Sequence, residues 1–403
     1  MWNKKAIVFR FSQINMRITY VIDTLASKGG AERIIIEKMN YLASHFGYEV
    51  SVICCYQCEG DVNAYPLSDK VSQIYLHVPF YSQYQYPYPY RLWVKRNLNQ
   101  ALRRELLQEV FRIDPDILIC TSYFRADVIC KINCRAKKVV EAHEPRLFTL
   151  SNEGLGRSFL VKMYMVLYRK FYFRTVERYA DVVVTLTDGD AYAWRRANRV
   201  MVIRNFSSLS VNRRSDVSAK RVIAVGRLEW VKGFDRLINA WAIVSKQHPD
   251  WKLDIFGEGT LEGELKKQIQ ELNQSNCIEI HPFTSDIHEE YAKSSILVSS
   301  SHFEGFSLAI LEALRIGVPC VAFDCPYGPR TIIKNNKCGF FVPDGNKLAL
   351  ADRINRLIDN PEMRRSFSKA GVLRAEFFKI NVVMNQWKNF FENLVKGKVT
   401  SLF

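Results

Sequence analysis

No run of about 18 uncharged, apolar residues occurs in the chain, so a membrane-spanning helix is not expected. The first ten residues carry lysines and only a brief apolar patch, too little for the apolar core and cleavage site of a secretory signal. Cys55-x-x-Cys58 has no second cysteine or histidine pair nearby, which argues against zinc. The ten cysteines are otherwise scattered, as expected of reduced, mostly buried thiols in a cytosolic protein. There is no repeat, and no segment has the composition of disorder. Negative charge is short: 41 acidic residues face 57 lysines and arginines, a net charge of +16. Such an excess calls for an anionic partner. No nucleic-acid recognition motif is present, so the expected partner is an anionic membrane surface, with the protein peripheral on its cytoplasmic face.

What is present is a globular composition, 48% hydrophobic and 24% charged, over 403 residues, enough for two or three ordinary domains. The most informative stretch is 299–312. A short apolar run, 296–298, reads as a buried strand, followed by small polar residues, Glu304-Gly305, and a helix former from Leu308. A helix start offers unpaired amides and the positive end of its dipole, which suits a phosphate. Glu304 lies in the turn. Glu312 lies in the second helical turn and can lean back toward the same end. Amides suit a pyrophosphate and carboxylates suit sugar hydroxyls, so together they fit a nucleotide-sugar.

In the first half, 17–22 reads as a strand, followed by Gly29-Gly30-Ala31-Glu32-Arg33 and an apolar-periodic helix to about Ser44. Strand, glycine turn and helix open a dinucleotide-binding type of α/β unit. Strands are expected at 50–55 and 75–78. The tract 81–90 holds five tyrosines with Pro87 and Pro89 and cannot be helical. A basic helix follows over 91–112, with Leu92, Val94, Leu98, Leu102, Leu106, Val110 and Phe111 on its apolar side. Strands at 116–120 and from Val139 come next, and His143 falls just past a strand's carboxyl end, where open α/β sheets place ligands. Residues 157–179 form a second basic, aromatic helix. It reads equally as a helix packed on the sheet or as a membrane-facing surface. After a strand at 181–187, Asp188-Gly189-Asp190 is expected to cap a helix from about Ala191. Residues 206–220 are polar and read as a linker.

The second half repeats the pattern. Strand 221–225 leads into Gly226-Arg227-Leu228-Glu229-Trp230-Val231-Lys232-Gly233 and a helix over 234–247. Arg227 and Lys232 are placed to meet a phosphate, where cations neutralise charge growing on a leaving diphosphate. Further strands are expected at 251–256, 278–281, 320–323 and 339–342, and a short helix at 286–293. Helix from about 353 and over 363–396 closes the chain, with Trp387, Phe390, Phe391 and Leu394 as its packing face.

Glu304-Gly305-Phe306-Ser307 through Glu312 resembles the Glu-x7-Glu motif of retaining GT-B glycosyltransferases, most like the family-4 group. Gly317-Val318-Pro319-Cys320-Val321, Gly328-Pro329-Arg330 and Gly226-Arg227-Leu228 with Lys232-Gly233 are similar to that group too, and the likeness extends from about Arg17 to Lys396. It implies an α/β protein of two Rossmann-like domains facing across a cleft: an acceptor-binding domain over 1–205 (with 1–15 an extension), a linker over 206–220, and a nucleotide-sugar domain over 221–380. Residues 381–403 would form a helix returning to the first domain. It implies catalytic roles for His143, Glu304, Arg227 and Lys232. Donor contacts would come from Gly30, Gly226, Arg227, Lys232, Gly257, Pro282, Phe283, Glu304, Gly305, Phe306, Ser307, Leu308 and Glu312. No metal or other cofactor is expected. The implied reaction moves a hexose or N-acetylhexosamine from a nucleotide-diphospho-sugar, UDP by default, to a saccharide or lipid-linked saccharide in polysaccharide or lipopolysaccharide assembly. A 2-epimerase of the same fold and a non-catalytic partner subunit are the alternatives.

Overall fold

The computed structural model describes residues 16–87, 90–146, 159–209 and 211–402, and not the side chains of residues 80, 81, 159–162, 164 and 165. The expected extension 1–15, Pro89 of the tyrosine tract and Arg157 of the second basic helix lie outside the described residues.

Two parallel sheets organise the chain. The first contains β1 (Arg17–Ile22), β2 (Glu49–Cys54), β3 (Val71–Tyr75), β4 (Ile117–Thr121), β5 (Lys137–Ala142), β6 (Val182–Thr185) and β7 (Val200–Val202). Their order is β3-β2-β1-β4-β5-β6-β7. The second contains β8 (Arg221–Val225), β9 (Lys252–Phe256), β10 (Ile278–His281), β11 (Ile296–Ser299), β12 (Cys320–Phe323) and β13 (Gly339–Val342), in the order β10-β9-β8-β11-β12-β13. Ile18 stands opposite Val50 on one side and Ile117 on the other, and Val222 opposite Leu253 and Ile296. Strands covered on both faces read as unbroken apolar runs. β4, β6 and β12 are such runs, with every residue buried.

By internal contacts, one compact unit runs to Val140 and includes Tyr179–Asp181 and Asn393–Lys398; a second comprises the described residues of Glu141–Arg178, Val182–Glu392 and those from Val399 on. The second unit holds the β8–β13 core. Its helix Phe234–Gln247 buries Phe234, Leu237, Ile238, Trp241 and Val244 on one stripe. Each large apolar side chain so buried contributes roughly 1.5–3 kcal/mol. The helix Leu308–Ile316 ends in a Schellman closure, with Gly317 N–H donating to Leu314 O and Val318 N–H to Ala313 O, before Pro319. The expected linker is firmly tied within this unit: Ser207 N–H donates to Phe378 O, and Ser215 Oγ–H to Ser294 O.

Several local expectations are corrected. The third strand lies at Val71–Tyr75, not 75–78, because Val71 and Ile74 pair beside Val50 and Ile53 at the sheet edge. The helix expected from Ala191 begins at Asp188, capped by Thr187, whose Oγ1 accepts from Asp190 N–H at 3.2 Å. The helix expected over 363–396 is two, Pro361–Ala375 and Ile380–Val395, separated by a tight turn at Glu376–Phe378 that buries Phe378 against Phe306. Trp387, Phe390, Phe391 and Leu394 are buried, as expected of a packing face. On the helix Tyr90–Ile113, Leu102, Leu106 and Val110 are buried, whereas Leu92 and Phe111 are more than half exposed, at 56% and 59%.

Candidate active site

In the second sheet the order reverses at β8. The chain moves outward through β9 and β10, then returns to place β11 on the other side of β8. Loops leaving the carboxyl ends of strands on either side of such a reversal diverge and leave a crevice, where open α/β sheets bind ligands. The loop after β8 carries Gly226 to Gly233, and the loop after β11 carries Ser300 to Ser307. They meet at one ion pair: Lys232 Nζ lies 2.7 Å from Glu304 Oε1. Glu304 is only 8% exposed, and Ser301 Oγ–H donates to the same oxygen at 2.8 Å. Ser300 Oγ–H donates to Lys232 O, and Arg236 clamps Ser300 O at 2.5 Å while pairing with Asp344. The two loops are thus cross-braced by side chains from both.

Close backbone approach sets this geometry. A Cβ on Gly257 would lie 1.9 Å from Gly226 O, at a φ of +155°. Only a glycine lets the β9 loop pass this close to the β8 loop. The aliphatic part of Lys232 covers Gly226, where a Cβ would meet it at 3.1–3.3 Å. Arg227, the next residue, is exposed, and its guanidinium makes no hydrogen bond or ion pair among the described residues.

Glu304 is also held through its main chain. It pairs in an isolated bridge with Tyr327, and Gly328 N–H donates to both Glu304 O (3.0 Å) and Pro326 O (3.2 Å). The second bond closes a γ-turn on Tyr327, at φ 76° and ψ −58°, a rare and strained conformation for a residue with a side chain. Phe306 is a core residue, ring to ring with Phe378. Ser307 is the helix N-cap but gives no side-chain cap, so the first-turn amides of the helix at Leu308 stay available to an anion. Glu312 is buried, with the Tyr291 hydroxyl 3.5 Å from its Oε2.

His143 belongs to the same unit. It follows β5 and is 8% exposed, and its Nε2 lies 3.0 Å from Glu141 Oε2. Its Nδ1 has no hydrogen-bond partner among the described residues. A Cβ on Gly305 would lie 2.4 Å from His143 O and 3.3 Å from Pro145, so the Glu304 turn lies against the His143 backbone. The structure therefore brings His143, Gly226, Lys232, Gly257, Glu304 and Gly305 into one neighbourhood. Pro282 and Phe283 are exposed at the end of β10, where Phe283 N–H donates to Glu258 Oε1 at 3.3 Å. Gly30 opens the helix Gly30–His45 in the other unit.

Sequence reasoning missed Glu141, Ser301 and Tyr327. Glu141 had a signal, since alternate residues of a strand share a face and Glu141 and His143 are two apart. Ser301 and Tyr327 had none. Asp188 and Asp190 do not act as a pair. Asp188 binds Arg204 at 2.8 Å, while Asp190 is buried and accepts from Arg146 N–H at 2.9 Å. Burial pushes the Asp190 carboxyl up to about 6 against the opposing pull of the Arg146 amide. Ligand atoms of Asp254, Glu279 and His281 gather within 4.8 Å of one another, but Arg221 pairs with Asp254 there.

Two sheets with Rossmann strand order define the GT-B class. Sucrose-phosphate synthase from Thermosynechococcus elongatus shares this fold over 95% of this chain and 100% of that one, at a TM-score of 0.78 and 17% identity. An S. aureus TarM variant shares it over 93% and 99%, at 0.74 and 15%. In sequence, residues 209–374 match the family described as glycosyl transferases group 1. An uncharacterized glycosyltransferase of Haemophilus influenzae is 27% identical over 92% of this chain and 99% of its own length. The chain thus has the GT-B fold, and its residues 209–374 resemble the group 1 glycosyltransferases.

Proposed function

We propose that the protein is a retaining glycosyltransferase that takes a hexose or N-acetylhexosamine from a nucleotide-diphospho-sugar, UDP-linked by preference, and needs no metal ion. The carrying observation is the Lys232–Glu304 pair at the strand-order reversal, on loops that also carry the exposed Arg227, whose guanidinium has no partner among the described residues, and the uncapped helix start at Leu308. Those groups supply positive charge where a diphosphate would leave. The solved TarM variant of the same fold holds UDP with alpha-GlcNAc-glycerol, which supports the choice of base.

An arriving diphosphate competes with Glu304 for Lys232. As the sugar C1–oxygen bond lengthens, negative charge grows on the diphosphate, and Lys232, Arg227 and the helix amides interact more strongly with it than with the intact donor. Glu304, released from Lys232, turns its carboxylate to the sugar hydroxyls. Glu312 holds the ribose. The acceptor hydroxyl adds to C1 on the face the diphosphate leaves, and its proton passes to the departing phosphate oxygen. His143, oriented by Glu141, lies beside the transferred sugar. In this reading residues 221–380 bind the donor and 1–205 the acceptor.

The acceptor is a saccharide or lipid-linked saccharide at an anionic membrane surface, in polysaccharide assembly. No described helix is long and apolar enough to cross a membrane. On the helix Phe159–Tyr179, Met163, Val166, Leu167, Tyr168 and Phe171 are exposed among Arg169, Lys170 and Arg174, a surface suited to headgroups. Binding to anionic but not neutral vesicles at low salt tests this; indifference to both refutes it. The donor is tested by thermal shift with UDP-, GDP- and ADP-sugars. A rise with UDP-sugars that Lys232→Ala abolishes supports the reading, and no rise with any nucleotide-sugar refutes it. Incubation with donor alone would expose an epimerase.

A further inference from the structure

Beside Glu304 lies a basic pocket of about 560 Å³ that the donor contacts above leave unused. Arg204, Arg330, Lys334 and Arg374 line it, against only two carboxylates, Asp188 and Asp324. Both carboxylates are committed, Asp188 to Arg204 at 2.8 Å and Asp324 to Arg330 in a two-pronged contact. Lys334 is exposed, and its ammonium has no hydrogen bond or ion pair among the described residues. Among the described residues Arg374 donates only to backbone carbonyls, Thr331 O at 2.6 Å and Ile332 O at 3.0 Å. Burial pushes the Arg374 guanidinium below the usual arginine range, and the like charge of Arg204 adds to that push. Cations gathered in a concavity in excess of their carboxylates favour an anion.

Tyr327 connects this pocket to the transfer site. It lines the pocket, and its backbone pairs with Glu304. Its ring lies where a Cβ on Gly189 would meet it at 2.3 Å, so Gly189 lets the ring settle against the pocket wall.

We propose that this pocket binds a phosphate of the acceptor, so that the hydroxyl next to that phosphate is presented at Glu304. The proposal rests on the glycosyl-transfer reading above and narrows it to a phosphate-bearing acceptor. Lys334 serves as a point charge, while Arg204 and Arg374 offer directed N–H groups. The phosphate could be carried by a soluble polyol-phosphate chain or by a lipid-linked saccharide, and the test separates these sources.

The full chain, saturated with UDP so that the donor site is filled, is titrated with a glycerol-phosphate oligomer, with a polyprenyl-diphosphate-linked saccharide in detergent, and with a neutral saccharide. The expected result is that at least one phosphate-bearing ligand binds more tightly than the neutral one. Lys334→Glu then weakens that ligand by about tenfold or more and flattens its salt dependence, while the UDP thermal shift is unchanged. The arm that responds identifies the source. Equal binding of charged and neutral ligands, or Lys334→Glu and Arg204→Gln both binding like wild type, overturns the proposal. Loss of the UDP shift in the wild-type protein would instead overturn the donor reading.

Discussion

The ammonium of Lys232 and the carboxylate of Glu304, 72 residues apart in the chain, meet at 2.7 Å, with Ser301 donating to the same carboxylate oxygen. Each neutralises the other in a largely buried setting. A ligand that engages Lys232 therefore frees Glu304, and the two roles are coupled through one contact.

Replacing Lys232 by Ala leaves Glu304 with Ser301 as its remaining side-chain donor. A buried group that loses a charged partner costs about 1–3 kcal/mol, so the urea midpoint falls. Glycosyl transfer falls further, by about 10²–10³ in kcat, as expected when one donor to developing charge is removed. Glu304→Gln keeps a hydrogen-bonding side chain and is expected to hold its urea midpoint closer to wild type than Lys232→Ala does. Urea melts and initial rates on both variants check the pair.

Gly257→Ala places a Cβ 1.9 Å from Gly226 O, so the two loops must separate and both stability and donor affinity fall. Gly263 makes the contrast, because it lies inside the helix Glu262–Glu271 with nothing within 4 Å of its Cβ position. Gly263→Ala is expected to stabilise by about 0.5–1 kcal/mol through the lost chain entropy of the unfolded state. Opposite shifts in melting temperature are the expected readout.

Burial raises the Asp190 carboxyl from 3.8 to about 6. The folded state therefore holds this proton more tightly than the unfolded one. Its contribution is fully favourable below about pH 4 and is lost as pH rises through 6, by roughly 3 kcal/mol. Asp190→Asn keeps an acceptor for the Arg146 amide and removes the titration. The difference in unfolding free energy between Asp190→Asn and wild type should grow in favour of the variant from pH 4 to pH 7, and a difference independent of pH would refute the assignment.

Of the cysteines, Cys58 is exposed, Cys134 and Cys277 are half-buried, and the other seven are buried. Burial pushes the Cys54 thiol up to about 12 and raises Cys55, Cys320 and Cys325 as well. A disulfide reagent added to the native protein should label Cys58 fast, Cys134 and Cys277 slowly, and the rest only on unfolding. Mass mapping of labelled peptides over time reads this directly.

Much of the fold was open to reading because its signals are local. The strands Arg17–Ile22, Arg221–Val225, Cys320–Phe323 and Gly339–Val342 and the helix Phe234–Gln247 stand where apolar periodicity placed them. The misplacements share a cause. The chain breaks at Glu376–Phe378 because Phe378 enters a core built by distant residues, and the helix at Asp188 starts early because Thr187 happens to be free to cap it. Neither is visible in a window of neighbouring residues.

By itself the sequence determined the two rounds of strand, glycine turn and helix and the types of group at their ends, because periodicity and turn chemistry act over a few residues. Only the tertiary structure decided that Lys232 reaches Glu304, that Glu141 faces His143, and that Gly257 passes beneath Gly226. Those contacts depend on strand order. The reversal that places β11 beside β8 rather than beyond β10 arises from packing a whole sheet, and no local preference encodes it.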